Sequence, residues 1–427
     1  MLFNSIEFFV FLPIVFFLYW FVFNNNLKHQ NLIILLGSYV FYGWWDFRFL
    51  LLIFLSTIVD YIIGLYIFKN PNDRNRKILL ICSIIFNLGV LGFFKYYNFF
   101  IESWINLFSS IGYDFKSVWT LKIILPVGIS FYTFQTMSYT IDIFRRKLEP
   151  TRDFISFASF VSFFPQLVAG PIERATNLLP QILRKREFKY ILGVEGLSLI
   201  LWGMFKKVVI ADNLSPIVDN IFNNYESLSG ASLWIGAIYF SFQIYCDFSG
   251  YSDIAIGTSK LFGIELMENF KTPYFSRNIG EFWRRWHISL STWFRDYLYI
   301  PIGGSKNGNL KSIRNIFIIF IVSGLWHGAN WTFIFWGLFH SILFIPSFLL
   351  NTNRKHLSSV ISQNSFLPSL KESFGVISTF FLVTISWVFF RSKDLTSSFS
   401  FIKKMFFDFE LKLETSLIKF LIFILFL

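Results

Sequence analysis

Long, charge-poor apolar runs are the feature that most constrains the fold of this chain. The first run, residues 8–23, reads FFVFLPIVFFLYWFVF. Comparable runs recur at 31–45, 49–68, 78–94, 123–144, 154–169, 192–210, 233–245, 315–327, 331–350 and 374–390. A helix of about 20 apolar residues crosses a hydrocarbon core. The runs therefore predict an all-α, polytopic integral membrane protein with ten to twelve membrane helices, the shorter of which are re-entrant or interfacial.

The polar segments between these runs are short. The longest include KNPNDRNRK at 69–77, RRKLEPTR at 145–152 and LRKREFK at 183–189. None is long enough to form a soluble domain, so we predict a single membrane domain over residues 1–427. The last run, LIKFLIFILFL, is short for a membrane span. It predicts that the last helix is cut or that the natural protein continues.

The net charge of +12 does not indicate nucleic acid as a partner. Only 15% of the residues are charged, and the basic clusters lie between apolar runs. Cytoplasmic loops of membrane proteins carry such clusters. The charge pattern therefore predicts a multi-pass protein surrounded by membrane lipids.

Polar residues enter the apolar runs mainly in the second half of the chain. The segment 241–257 carries Asp247 and Asp253 among apolar residues, and 278–304 and 323–337 follow it with further polar groups. Polar side chains inside a membrane are costly and by default mark function or helix contacts. The second half is therefore the candidate functional region.

Two of these segments place histidines among aromatic residues. In 278–304, the spacing predicts one amphipathic helix with Arg284, His287, Ser291 and Arg295 near one face and Trp286 on the other. In 323–337, which reads SGLWHGANWTFIFWG, the spacing predicts that His327, Asn330 and Trp331 share a helical face. We interpret the first helix as interfacial or cavity-lining.

Of the five histidines, His287 and His327 are the candidates for chemistry. His29 and His356 lie in polar linkers, and packing or hydrogen bonding explains His340. Burial favours a neutral imidazole, which accepts a proton from a hydroxyl as that hydroxyl attacks a carbonyl.

Three classes of function stay open on the residues alone. They are a membrane enzyme, a transporter with a buried histidine proton relay, and a structural protein. The clustering of polar features in one half counts against a transporter, which often has two repeated halves. Closely spaced metal ligands, a phosphate-binding loop and a serine elbow are all absent from the sequence, so we predict no metal and no bound cofactor.

Several stretches, in this order, match a known family. They are ILPVGISFYTFQTMSYTIDIFR (124–145), FFPQLVAGPIER (163–174), FQIYCDFSGYSDIAIG (242–257), NFKTPYFSRNIGEFWRRWHISLSTWFRDYLYIPIGG (269–304) and SGLWHGANWTFIFWG (323–337). The chain resembles the membrane-bound O-acyltransferases over nearly its whole length, with the signature core at about 124–340. It looks most like the bacterial branch that acetylates exported polysaccharides.

The resemblance implies an architecture of tilted helices around a central funnel and tunnel that meet at a histidine. It implies that the protein moves an acetyl group from a cytoplasmic thioester, acetyl-CoA or another acyl thioester, across the bacterial inner membrane. The acceptor is a hydroxyl of an exported polysaccharide, such as an alginate-like polymer or peptidoglycan, or a periplasmic acetyltransferase partner protein.

The resemblance also assigns roles to individual residues. The family's invariant histidine falls on His327, which acts as general base, and its second histidine falls on His287, which assists. We expect the substrate tunnel to be lined by Trp326, Asn330, Trp331, Trp286, Asp247 and Ser291. We expect Arg284, Arg285 and Arg295 either to bind the donor phosphates or to extend to lipid phosphate at the membrane interface.

Overall fold

The structure is a computed structural model that describes residues 1–24, 26–113, 120–168, 170–306, 308–357, 360–362, 367–408 and 410. Its regular secondary structure over these residues is helical, without a strand. The predicted all-α class is confirmed. The final apolar run, 417–427, lies outside the described residues.

The described residues form two compact units, which are considered separately. The first unit comprises Met1–Met204 and Tyr251–Glu268, and the second comprises Phe205–Gly250 and the chain from Asn269 onward. The predicted single domain stays a prediction.

The α-helices up to residue 204 are α1 (Ile6–Phe17), α2 (Leu27–Gly43), α3 (Arg48–Lys69), α4 (Asp73–Leu91), α5 (Tyr97–Ser110), α6 (Ile129–Phe144), α7 (Phe154–Ser162), α8 (Phe164–Leu167), α9 (Ala175–Ile182) and α10 (Tyr190–Met204). The later α-helices are α11 (Asp212–Asn223), α12 (Gly230–Leu261), α13 (Ile279–Arg285), α14 (Ile288–Phe294), α15 (Asn309–His327), α16 (Trp331–Leu349), α17 (Leu370–Arg391) and α18 (Leu395–Phe407).

Five helices of the described chain are long and apolar enough to span a membrane. They are Arg48–Lys69, Asp73–Ser110, Asn309–His327, Trp331–Leu349 and Leu370–Arg391. Shorter apolar helices are Ile6–Val22 and Phe154–Leu167. The protein is therefore a multi-pass membrane protein. Full-length spans are fewer than the runs predicted because several runs form short helices: α2 has 17 residues, α6 has 16 and α10 has 15.

A buried polar cluster holds α3, α4 and α6 together in the first unit. The Asp60 carboxylate accepts hydrogen bonds from Ser83 Oγ (2.6 Å) and Asn87 Nδ2 (2.8 Å). Thr136 of α6 donates to Asn87 Oδ1 at 3.1 Å. Polar side chains that satisfy one another join helices where the surrounding solvent is lipid. These groups therefore connect helices within this unit.

In the second unit, glycines let α15 and α16 pack against each other as a tight pair. A Cβ atom at Gly324 would lie 2.2 Å from the carbonyl oxygen of Phe333, and one at Gly337 would lie 2.2 Å from that of Phe320. Small residues allow such close backbone approach between membrane helices. The pair is joined by a short turn after His327, so this histidine lies where one helix ends and the next begins.

Candidate active site

The backbone at His287 corrects the prediction of one continuous helix. Helix α13 ends at Arg285, and α14 begins at Ile288. His287 adopts φ 44° and ψ 56°, a left-handed conformation. Such a conformation costs about 1–2 kcal/mol for a residue with a Cβ atom. The segment therefore forms two short helices that are separated by a break at His287.

Backbone hydrogen bonds on both sides fix this break. Lys271 N donates to the carbonyl oxygen of Arg285 at 3.0 Å, and Ile288 N donates to that of Asn269 at 2.9 Å. Asn269 Oδ1 also accepts from Ser289 Oγ at 2.6 Å. These contacts offset the cost of the left-handed residue and hold His287 in one place. Sequence reasoning did not single out Asn269, because its role depends on pairing with Ile288 and Ser289, which lie far from it along the chain.

The His287 ring is buried and has no polar partner within the described residues. Only 1% of the residue is exposed, and neither Nδ1 nor Nε2 has a hydrogen-bond partner. Its ring centroid lies 4.7 Å from that of Phe248 and 5.8 Å from that of Trp326. An orphaned buried polar group costs about 1–3 kcal/mol. Such a group is expected where a ligand brings the missing partner, and desolvation keeps the imidazole neutral.

His327 lies beside His287, as expected for two histidines that share a site. Their ring centroids are 6.2 Å apart. The His327 ring is surrounded by Trp326 (5.0 Å), Trp336 (5.1 Å) and Phe390 (5.2 Å). Two imidazoles, one from the break between α13 and α14 and one from the end of α15, therefore face one aromatic environment.

His340 has a structural role that its hydrogen bonds define. Its Nδ1 accepts from Trp283 Nε1 at 3.3 Å, and its Nε2 lies 2.9 Å from Ser386 Oγ. Because a tryptophan N–H only donates, His340 carries its proton on Nε2 and donates it to Ser386. The Ser386 hydroxyl in turn donates to the carbonyl oxygen of Val383 at 2.6 Å. These bonds occupy both ring nitrogens, which agrees with the packing and hydrogen-bonding role predicted for His340.

The predicted tryptophans occupy different environments. Trp326 is buried against both histidines, and Trp286 is buried with its ring centroid 4.9 Å from that of Trp387. Trp331, in contrast, is 53% exposed at the first turn of α16. Trp336, which was not among the predicted site residues, is fully buried beside His327. Helical periodicity counted from His327 could not select Trp336, because α15 ends at His327 and Trp336 lies in the next helix, α16.

Asn330 corrects the idea of one helical face through His327 and Trp331. It caps α16 by accepting from Thr332 N at 3.0 Å, and its Nδ2 donates to the carbonyl oxygen of Lys393 at 3.0 Å. His327 ends α15, so the predicted face is divided between two helices. The reason is the turn at Gly328, which the spacing alone does not reveal.

Asp247 and Ser291 make contacts within the protein. Asp247 Oδ1 accepts from Lys207 Nζ at 2.6 Å, and the same ammonium group lies 2.8 Å from Asp212. Ser291 Oγ donates to the carbonyl oxygen of Trp286 at 3.3 Å. The predicted tunnel-lining role of both residues stays a prediction.

The three predicted donor-binding arginines are all engaged inside the protein. Arg284 donates to the carbonyl oxygens of Asn353 and Lys355, which both follow α16 in the chain. Arg285 donates to Glu281 at 2.8 Å. Arg295 pairs with its neighbour Asp296 at 2.7 Å. Donor-phosphate binding by these arginines stays a prediction. A phosphate bound there would contact guanidinium groups that already make hydrogen bonds or ion pairs within the protein.

Comparison with known proteins then decides the family. The description of the matching family is membrane-bound O-acyltransferase, and the match covers residues 86–357, a range that includes both candidate histidines. The chain belongs to this family. It is 40% identical over 404 residues to the probable alginate O-acetylase AlgI of Pseudomonas aeruginosa, covering 94% of this chain and 74% of that protein.

Two other relatives carry different names. The chain is 37% identical over 439 residues to a peptidoglycan O-acetyltransferase of Helicobacter pylori, covering 95% of this chain and 80% of that protein. It is 29% identical over 282 residues to a teichoic acid D-alanyltransferase of Bacillus subtilis, covering 62% and 69% respectively.

Family membership separates the functional alternatives that the residues left open. The protein is a membrane O-acyltransferase, and the predicted enzyme class is confirmed. The transporter hypothesis, which depended on a buried histidine relay, is displaced by this assignment. The two histidines are instead placed within the region that matches the acyltransferase family.

Proposed function

We propose that this protein transfers an acetyl group from acetyl-CoA, or another cytoplasmic acyl thioester, to a hydroxyl group on the outer side of the bacterial inner membrane. The observation that carries the proposal is the pairing of His287 and His327, whose ring centroids are 6.2 Å apart. Relatives named for alginate and peptidoglycan O-acetylation support acetyl as the group and a polysaccharide as the final acceptor.

His327 is the general base in this proposal. The acceptor hydroxyl hydrogen-bonds to its neutral ring, and the proton passes to the ring nitrogen as the oxygen attacks the thioester carbonyl carbon. The carbon–sulfur bond then breaks, and the departing sulfur takes the proton from the imidazolium. The products are an O-acetyl ester and a free thiol, and His327 is neutral again.

His287 assists by donating a hydrogen bond to the thioester carbonyl oxygen. A neutral imidazole has one N–H, and neither nitrogen of His287 has a partner in the described protein. A donor positioned on the developing oxyanion contributes most in a site from which water is excluded. The left-handed turn at His287 supports this role, because backbone hydrogen bonds on both sides of it hold the residue in place before the substrate arrives.

The aromatic surroundings protect the thioester from water. Trp326 and Trp336 contact the His327 ring, while Phe248 contacts that of His287. Excluding water limits hydrolysis of the donor and strengthens each hydrogen bond at the reacting atoms. The same environment favours transfer to the acceptor hydroxyl over loss of acetate.

We further propose that the acceptor hydroxyl belongs to the exported polysaccharide or to a periplasmic acetyltransferase that then modifies it. The first acetylated species decides between the two. If a partner protein becomes labelled before the polymer, the partner is the direct acceptor; if the polymer is labelled in its absence, the polymer is.

The test replaces histidines one at a time and measures ester-linked acetate on the exported polymer. We expect His327→Ala to lower transfer by about 100-fold or more, the size of a lost general base. His287→Ala should also lower the rate constant for transfer. His29→Asn is the matched control, because this histidine is exposed and should leave transfer unchanged.

Inverted membrane vesicles supplied with acetyl-labelled acetyl-CoA test the donor. Label should reach the acceptor in wild-type vesicles and not in His327→Ala vesicles. Full transfer by a normally folded His327→Ala protein would contradict the mechanism. Failure of acetyl-CoA alongside success of another acyl thioester would change the donor and leave the mechanism standing.

A further inference from the structure

A cavity in the first unit lies outside everything that the acyl transfer uses. Its volume is about 340 Å³, and it is located where the apolar helix Ile6–Val22 meets the basic segment 183–189. Its lining residues are Phe16, Trp20, Phe21, Asn24, Lys185, Arg186, Glu187 and Phe188. The lining therefore combines aromatic residues with two cations.

Arg186 is a buried cation that has no anionic partner in the part of the chain that the structure describes. It is only 6% exposed. Its guanidinium donates to the carbonyl oxygen of Ile182 at 3.1 Å and to Asn31 Oδ1, and it lies over the Tyr19 ring. All of these groups are neutral, and within the described chain no carboxylate lies within 4.0 Å of the guanidinium.

The same guanidinium has an unused donor. Arg186 Nε is buried and has no hydrogen-bond partner in the described protein. A buried charge is costly unless it is paired, and an unsatisfied donor adds about 1–3 kcal/mol. An anion in the cavity, which Arg186 lines, would offset the cost of the uncompensated charge. Lys185 is exposed at the same lining and adds a second cation, while the one acid there, Glu187, is also exposed.

The aromatic side of the cavity is firmly built. Trp20 Nε1 donates to the carbonyl oxygen of Leu261 at 2.9 Å, which fixes the indole. The Phe188 ring lies edge-on to those of Trp20 (5.7 Å) and Phe16 (5.9 Å). Phe21 and Phe188 remain 68% and 51% exposed. These exposed rings offer apolar surface to a hydrocarbon chain.

We propose that this cavity binds one anionic phospholipid, with its phosphate at Lys185 and Arg186 and an acyl chain along Phe16, Trp20, Phe21 and Phe188. Basic pockets beside membrane helices bind anionic head groups in this way. Tryptophan and basic side chains at the end of an apolar helix are also typical of the membrane–water interface. A small soluble anion would satisfy the cations but would leave the aromatic surface uncovered. The site is independent of the proposed acyl transfer.

Native mass spectrometry of the purified full-length protein tests the proposal. The probes are phosphatidylglycerol and phosphatidylethanolamine with identical acyl chains. We expect tighter binding of phosphatidylglycerol to the wild type. Lys185→Gln should weaken that binding about fivefold, as expected for the loss of one cation near an anionic head group. Lys189→Gln is the matched control, because it removes the same charge from the same segment outside the cavity lining.

Three outcomes would overturn the proposal. They are equal binding of the two lipids, an equal loss of phosphatidylglycerol in both lysine variants, and displacement of the lipid by inorganic phosphate or free coenzyme A. The last outcome would assign the cations to a soluble phosphate compound. Because Lys185 is exposed, its replacement should leave folding intact, so a loss of lipid binding would not reflect unfolding.

Discussion

Replacing Glu281 by Gln should destabilise the segment that carries His287. Only 1% of the Glu281 side chain is exposed. Its carboxylate accepts from Arg277 Nη2 at 2.9 Å and from Arg285 Nη2 at 2.8 Å, and Arg277 also pairs with Glu372 at 3.0 Å. The network therefore secures the end of α13, two residues before His287.

The expected magnitude follows from the burial of this network. Removing one partner of a buried ion pair costs about 3–5 kcal/mol, because it leaves charge uncompensated. Glutamine keeps the shape and one acceptor oxygen, so we expect the lower end, about 3 kcal/mol. Glu195→Gln is the matched control: Glu195 pairs with Lys260 at 2.6 Å but is half exposed, and such pairs contribute about 0–1 kcal/mol.

The effect should depend on pH in a defined direction. Burial alone would raise the pKa of Glu281, but hydrogen bonds and charge from Arg277 and Arg285 outweigh it and lower the pKa. A lowered carboxyl pKa contributes stability above the unfolded value of about 4.3, and that contribution is lost as the pH falls through the folded-state pKa. The difference between wild type and Glu281→Gln should therefore be largest near neutral pH and shrink in acid.

The assay is thermal unfolding of the detergent-solubilised full-length protein between pH 4 and pH 7, alongside acetyl transfer by the folded fraction. We expect Glu281→Gln to lower both the melting temperature and the transfer rate. A melting temperature equal to that of Glu195→Gln at neutral pH would refute the reasoning. If the difference in melting temperature between Glu281→Gln and the wild type stayed constant with pH, the effect would not come from the charge of Glu281.

Further predictions concern stability at other positions. Ser386→Ala removes the acceptor of His340 and should cost about 1–3 kcal/mol, measured by thermal unfolding, while folded protein still transfers acyl groups. Gly257→Ala should cost about 1–3 kcal/mol in the same assay, because its Cβ would lie 2.4 Å from the carbonyl oxygen of Gly196 in α10. Gly89→Ala is the control: a Cβ there meets no atom within 4 Å, so the protein should not be destabilised. Burial raises the pKa of Glu173 to about 7, so wild-type stability should fall as pH rises from about 4.3 through 7, and Glu173→Gln should lose that slope. An equal slope in both proteins would contradict this last prediction.

Much of the fold could be predicted because long apolar runs indicate helices that are surrounded by lipid. Each run within the described residues lies largely on helix, and five helices of the described chain reach membrane length. The number of full-length spans was less predictable. The run at 123–144, for instance, becomes helical only from Ile129 onward, because backbone breaks depend on packing as well as composition.

The candidate site, too, could be predicted from the sequence only in part. Elimination among five histidines selected His287 and His327, and the structure brings these two rings together. Periodicity wrongly continued a helix through each of them. It could not anticipate the left-handed turn at His287 or the cap at Asn330, because hydrogen bonds from other segments stabilise both.

By itself the sequence determined the class of protein and the membrane environment and selected the two candidate histidines, since these follow from residue type and local order. Only the tertiary structure decided which tryptophans surround them, with Trp336 buried beside His327 and Trp331 exposed. It also decided that both nitrogens of His287 lack a partner among the described residues, whereas those of His340 are occupied. The physical reason is that availability of a side chain for chemistry depends on contacts between distant segments, which local spacing does not encode.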